Sequence, residues 1–130
     1  MPGVVIVDDS DSLRQQITQF FKSEMEFRIL AEGCDGEEAV ALYRKHRPDL
    51  MTLDINMPNK DGMCALEEIL KEFPDAKIMM ISSAQGGAMR KCLSIGAKSF
   101  VEKPLLLGDE TFVTDFKVTI DEILSGVSCS

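Results

Sequence analysis

Three aspartates, a serine and a lysine have the types and positions to do chemistry. Asp8 and Asp9 stand side by side in "VVIVDDSDS", directly after four apolar residues. Adjacent carboxylates at the end of a buried segment repel each other and cost stability. Asp54 and Ser82 each end another apolar run, and Glu102, Lys103 and Pro104 follow a third. Three carboxylates in one crevice cannot all stay ionised and unpaired, and a hard cation resolves the conflict. Oxygen donors with no His or Cys nearby favour Mg²⁺ or Mn²⁺ over zinc. A metal so held implies phosphoryl chemistry, with Asp54 supplying a carboxylate oxygen as nucleophile. The metal and Lys103 neutralise charge on the transferring oxygens, and Ser82 donates its hydroxyl to one of them. Each residue alone has an ordinary explanation: a turn aspartate, a solvated lysine, a loop serine. Their common position at one end of a sheet is what joins them.

That position depends on the elements. Five short apolar runs, Val4–Val7, Phe27–Ala31, Leu50–Leu53, Ile78–Ile81 and Ser99–Val101, read as strands covered on both faces. Helix-period stretches lie between them. Leu13, Ile17, Phe20 and Phe21 mark the first, with Ser12 and Gln15 as an expected capping box. Asp35 and Glu38 open the second, whose apolar face is Ala39, Leu42 and Tyr43, and Pro48 ends it. Met63, Leu66, Ile69, Leu70 and Phe73 form a third, stopped at Pro74. Ala88, Met89, Cys92 and Leu93 form a shorter fourth, closed by Gly96, and Phe112, Phe116, Ile120, Ile123 and Leu124 a fifth. Five β-α alternations in 130 residues imply an α/β fold, a doubly wound parallel sheet with helices on both faces. Ligands of such sheets bind beyond the carboxyl ends of the strands.

Composition narrows the classes. The length suits one domain, residues 1–130, with a core of about 4–124 and a loose tail at 125–130. A net charge of −8 repels phosphate backbones and argues against direct nucleic-acid binding. No run is long and apolar enough for membrane insertion, and the start lacks a secretory signal, so a cytoplasmic location is expected. Cys34, Cys64, Cys92 and Cys129 lack metal-site or redox spacing, as does His46, and read as reduced, small apolar residues. Gly86 and Gly87 suit either a simple turn or a mobile loop before the fourth helix.

The motifs "VDDSDSLR", "LDINMPNKDG", "MMISSAQ" and "SIGAKSFVEKP", spanning residues 4 to 104, give the chain a family likeness. It resembles the receiver domain of two-component response regulators, most closely the stand-alone CheY-like kind. The resemblance implies a flavodoxin-like (βα)5 sheet of order 2-1-3-4-5, the order of the known fold. It implies that Asp54 accepts a phosphoryl group from the phosphohistidine of a sensor histidine kinase. It implies that Asp8 and Asp9 hold Mg²⁺ together with Asp54 and the backbone carbonyl of Asn56. Ser82 and Lys103 then contact the phosphoryl group, and the Lys103–Pro104 bond is often cis in the family. Phe100 takes the place of the switch aromatic. It turns inward as Ser82 moves, changing the face of helix 4, strand 5 and helix 5 for a downstream protein. The small Ala84 leaves the acceptor open to water or to a helper phosphatase. Ser83 stands where alanine is common, and "LLLGDETF" is longer than the usual connection.

Competing readings remain at this level. The chain could be a receiver excised from a longer DNA-binding or methylesterase regulator. A haloacid-dehalogenase-type phosphatase also uses an aspartate nucleophile and Mg²⁺, but needs a second acid where this chain has Asn56. A degenerate receiver that only docks partners would not need the full acidic, serine and lysine set. The residues and the resemblance together lead to the expectation of a phospho-accepting signalling protein, not an enzyme, with a place in chemotaxis as one option.

Overall fold

Alternation along the strands sorts the core into two layers. A computed structural model describes residues 1–83 and 86–126. The strands are β1 (Gly3–Val7), β2 (Arg28–Gly33), β3 (Leu50–Leu53), β4 (Ile78–Ser82) and β5 (Ser99–Glu102). The helices are α1 (Asp11–Ser23), α2 (Gly36–His46), α3 (Gly62–Glu72), α4 (Ala88–Ile95) and α5 (Glu110–Ser125). All pairings are parallel, in the order β2-β1-β3-β4-β5, as expected. Val4, Ile6, Leu50, Met79 and Ile81 face α1 and α5, where Ile17, Phe20, Phe21, Phe116 and Ile120 are buried. Val5, Val7, Met51, Leu53, Ile78 and Met80 face α2, α3 and α4. This is the two-residue period of a strand resolved into two cores.

Several sequence expectations need correction. Full burial on both faces holds for β1, β3 and β4, but β2 and β5 are edge strands and partly exposed. β2 begins at Arg28 rather than Phe27 and runs on to Gly33, opposite Val7. Phe27 instead packs its ring on Phe21, with centroids 4.9 Å apart. Ser82 and Glu102 end their strands as a paired couple rather than following them. Helix α1 is capped by Ser10, whose hydroxyl accepts from Leu13 N, and not by Ser12. The cause is local: Asp8 Oδ1 accepts from Ser10 N at 2.8 Å and turns the chain two residues earlier. Ser125 is the last residue of α5, not loose tail, and Gly126 caps it in the left-handed region. Residues 127–130, Cys129 among them, lie outside the described residues. Cys92 is buried as expected, whereas Cys34 and Cys64 are exposed, and the Cys34 thiol donates to Glu38.

One core position breaks the apolar pattern. Thr52 lies mid-β3 between Ile6 and Met79, fully buried, and its Oγ1 has no hydrogen-bond partner. Burying an unpaired hydroxyl costs about 1–3 kcal/mol. Thr52→Val keeps the β-branched shape and is expected to raise stability by about 1 kcal/mol. A higher urea midpoint at unchanged slope checks it; an unchanged or lower midpoint would show that the hydroxyl is satisfied.

Candidate functional site

The carboxyl edge of the sheet builds the site through backbone bonds that continue the ladder past the strands. Asp54 N donates to Val7 O (3.1 Å), Asp8 N to Gly33 O (3.0 Å) and Lys103 N to Ser82 O (3.1 Å). Side chains from four separate stretches are thereby placed next to one another. Asp8, Asp54 and Ser82 are all buried, and Asp9 is exposed. One carboxylate oxygen from each of Asp8, Asp9 and Asp54 lies within 4.8 Å of the other two. Lys103 Nζ bridges the buried pair, 3.0 Å from Asp8 Oδ2 and 3.2 Å from Asp54 Oδ2. The Lys103–Pro104 peptide is cis.

The remaining contacts assign each carboxylate oxygen a neighbour. Asp54 Oδ1 accepts from Ile55 N at 2.8 Å, and Asp8 Oδ1 accepts from Ser10 N. Asp8 Oδ2 is buried and meets Lys103 only as an ion pair, without a hydrogen-bond donor. Burial pulls the Lys103 ammonium down. The contact with Asp8 and the charge of Asp54 outweigh it and hold the group above the ordinary lysine value. A buried carboxylate oxygen without a donor, beside two further carboxylates, fits a hard divalent cation. The donor set is oxygen only, which suits Mg²⁺ rather than zinc.

The other expected residues fall around this centre. Ser82 is buried at the end of β4, beside Lys103 through the backbone bond. Asn56 is exposed in the turn two residues past Asp54. Phe100 is half-buried, paired with Met80 in the sheet and packed on the core beneath α2–α4. Ala84 lies outside the described residues, and Ser83 is exposed. Gly86 has φ +76°, and Gly87 is the N-cap of α4, which has no side-chain cap. In "LLLGDETF", Leu105 is buried, Leu106 exposed, and Asp109 caps α5 through Phe112 N.

Sequence reasoning missed Arg14. Its Nη1 donates to the backbone carbonyl of Asp8 at 2.7 Å, while its other nitrogens meet Asp11 and Glu32. The guanidinium thus ties α1 and β2 to the loop that carries the acidic pair. Burial opposes its charge, but Asp11 and Glu32 raise it above the ordinary arginine value. A signal existed: a cation in the first turn of a helix opposes the helix dipole and calls for a specific partner. A second group, Cys34, Asp35 and Glu38, also brings donor atoms together. Its atoms are engaged in a thiol–carboxylate bond, the cap of α2 and a bond to Asn59.

Comparisons with known proteins agree on one family. The model of the response regulator receiver domain matches residues 4–111. Chemotaxis protein CheY of Listeria monocytogenes is 40% identical over 105 residues, covering 80% of this chain and 87% of its own length. Protein-glutamate methylesterase/protein-glutamine glutaminase 2 of Nitratidesulfovibrio vulgaris is 39% identical over 107 residues. That match covers 81% of this chain and 29% of the relative, so the chain spans under a third of the methylesterase's length. Among solved structures, CheY in the CheX-CheY-BeF3-Mg²⁺ complex of Borrelia burgdorferi has a TM-score of 0.83 at 38% identity. It covers 93% of this chain and 87% of its own. The response regulator domain of Thermotoga maritima CheB has a TM-score of 0.84 at 30% identity, covering 96% of this chain and 97% of its own.

Proposed function

The chain belongs to the response regulator receiver domain family, and on that premise we propose that Asp54 is its phosphoryl acceptor. The donor is the phosphohistidine of a sensor histidine kinase. The observation that carries this reading is the bridge of Lys103 between buried Asp8 and Asp54, with Asp9 close by. In the transfer, the phosphorus–nitrogen bond of the phosphohistidine breaks and a phosphorus–oxygen bond forms at the Asp54 carboxylate. The imidazole leaves with the electron pair, and the product is an acyl phosphate. Lys103, already 3.2 Å from Asp54 Oδ2, supplies a positive partner for the phosphoryl oxygens. Ser82, at the neighbouring strand end, supplies a hydroxyl donor. Asp8, Asp9, Asp54 and the carbonyl of Asn56 would hold Mg²⁺, or the similarly hard Mn²⁺. When bound, the ion supplies charge neutralisation for the transferring group. The Borrelia CheY neighbour, solved with BeF3 and Mg²⁺, supports that choice of ion.

The acceptor is consumed once per phosphorylation, so the chain acts as a switch and not as an enzyme with turnover. About two added negative charges bias the loops around Ser82 and Phe100. The reading extends the change to the α4-β5-α5 face. Met89 and Leu93 are exposed one turn apart on α4, an apolar pair suited to a downstream protein, and Val118 is exposed on α5. Relatives named chemotaxis protein CheY support a place in a chemotaxis-type circuit. The complex of the Borrelia protein with CheX supports docking of a partner protein on the receiver. Residues 4–124 act as one receiver unit in this reading. No helix among the described residues is long and apolar enough to cross a membrane, in keeping with a cytoplasmic site of action.

The test is incubation with acetyl phosphate and Mg²⁺, followed by intact mass. The expected result is one phosphoryl group per chain, none in EDTA and none in Asp54→Asn. Phosphorylation that survives Asp54→Asn would overturn the assignment.

A further inference from the structure

The turn that follows Asp54 is held from outside by an element with no other part in the site. Between Asp54 and α3 the chain makes a turn of seven residues, 55–61. Its base is closed by Gly62 N donating to Ile55 O at 2.8 Å. Its far side is fastened to the start of α2. Asn59 Nδ2 donates to Asp35 Oδ2 at 2.7 Å, and Gly36 N donates to Lys60 O at 2.9 Å. The fit at Gly36 is tight: a Cβ there would lie 2.2 Å from Lys60 O. Asp35 is itself fixed, because its Oδ1 caps α2 by accepting from Glu38 N at 2.8 Å. The cap and then the Asn59 bond hold its carboxyl below the usual carboxylate range, so it stays a pure acceptor at neutral pH. Asn59 has φ +67°, a conformation that asparagine tolerates better than most residues.

We propose that the Asp35–Asn59 bond is a latch that positions the Asn56 carbonyl and so sets the selectivity of the acidic site for Mg²⁺ over Ca²⁺. The inference rests on the proposed cation site and deepens it. Asp8, Asp9 and Asp54 supply charge, which attracts both ions alike. The neutral carbonyl lies on the turn that is hydrogen-bonded to the start of α2. Mg²⁺ demands near-octahedral geometry at about 2.0–2.1 Å, while Ca²⁺ accepts 6–8 oxygens at about 2.3–2.6 Å in looser arrangements. A turn held in place satisfies the smaller ion. A released turn still satisfies the larger one. Asn59 is therefore a positioning residue acting through the turn. Outer-shell groups of this kind typically change metal affinity by about 10–100-fold.

Asn59→Gly tests the idea, because glycine keeps the positive φ and deletes only the side-chain bond. Calorimetric titration with MgCl2 and with CaCl2 is the readout. Mg²⁺ affinity is expected to fall about tenfold while Ca²⁺ affinity stays within about twofold. The charge-swapped pair Asp35→Asn with Asn59→Asp keeps the net charge, because one carboxylate is lost and one gained, and the new amide can donate to the new carboxylate. It is expected to restore Mg²⁺ preference, a recovery that a purely structural role would not require. Equal losses for both ions in Asn59→Gly would overturn the latch, as would an unchanged Mg²⁺ affinity or a swapped pair without recovery. A wild-type chain that binds no Mg²⁺ would remove the cation site and the latch together. Wild-type binding with an unaffected Asn59→Gly removes the latch alone.

Discussion

Gly62→Ala is expected to lower stability by at least about 3 kcal/mol, the upper part of the range for forcing atoms into packed space. A Cβ at residue 62 would lie 1.9 Å from the carbonyl oxygen of Asp54, 2.7 Å from its carbonyl carbon and 2.9 Å from Ile55 Cα. All three are backbone atoms, so no side chain can rotate away. The contact cannot be relaxed by moving α3 alone, because Gly62 N is bonded to Ile55 O at 2.8 Å. Relief requires shifting the peptide of the proposed acceptor, which is tied to β1 through Val7 O. The same substitution is therefore expected to impair phosphorylation by acetyl phosphate. Urea unfolding at constant slope measures the stability loss. Gly108→Ala is the control, since a Cβ there meets nothing within 4 Å; it is expected to change stability by under about 0.5 kcal/mol. A Gly62→Ala chain as stable as the control would show that the turn has room that this geometry denies.

That clash was not readable in "LDINMPNKDG", and the reason is general to this molecule. The buried strands were legible because β1, β3 and β4 are covered on both faces, which leaves continuous apolar runs. β2 was misplaced because an edge strand mixes exposed and buried positions, and "RILAEG" reads poorly as either pattern. The start of α1 was read at Ser12, but the cap is Ser10, fixed by a hydrogen bond from Ser10 N to Asp8 that no spacing rule contains. The acidic residues and Lys103 were legible because each follows an apolar run, so one end of one sheet collects them. Arg14 and the Asp35–Asn59 bond were not, since their partners come from β2, α1 and the turn after β3. Local signals locate groups at strand ends; what braces those groups depends on which loops meet in three dimensions.

Lys103 is where bracing and chemistry meet. Lys103→Met is expected to destabilise the metal-free protein by about 3 kcal/mol, the cost of removing one partner from a buried ion pair. Methionine keeps the apolar stem, so the loss falls on charge. Asp8 and Asp54 are 1% and 3% exposed, and the lysine side chain is 18% exposed. Without it, two neighbouring carboxylates face each other with no cation. The pH dependence follows from the raised ammonium. A lysine whose folded value lies above its unfolded value, about 10.4, stabilises fully below that value. Its contribution fades as pH rises through the higher folded value. The gap between wild type and Lys103→Met should therefore hold steady from pH 7 to about 9 and close in the alkaline range. Mg²⁺ should act in the opposite sense. In the proposed cation site the ammonium and the metal would draw on the same oxygens, so removing the ammonium would leave the carboxylates to the ion alone. Mg²⁺ is expected to bind the variant more tightly than the wild type and to raise its unfolding midpoint by more. Metal-free stability equal to wild type, or a Mg²⁺ response no larger than wild type, would mean that Asp8 and Asp54 are neutralised by something other than Lys103.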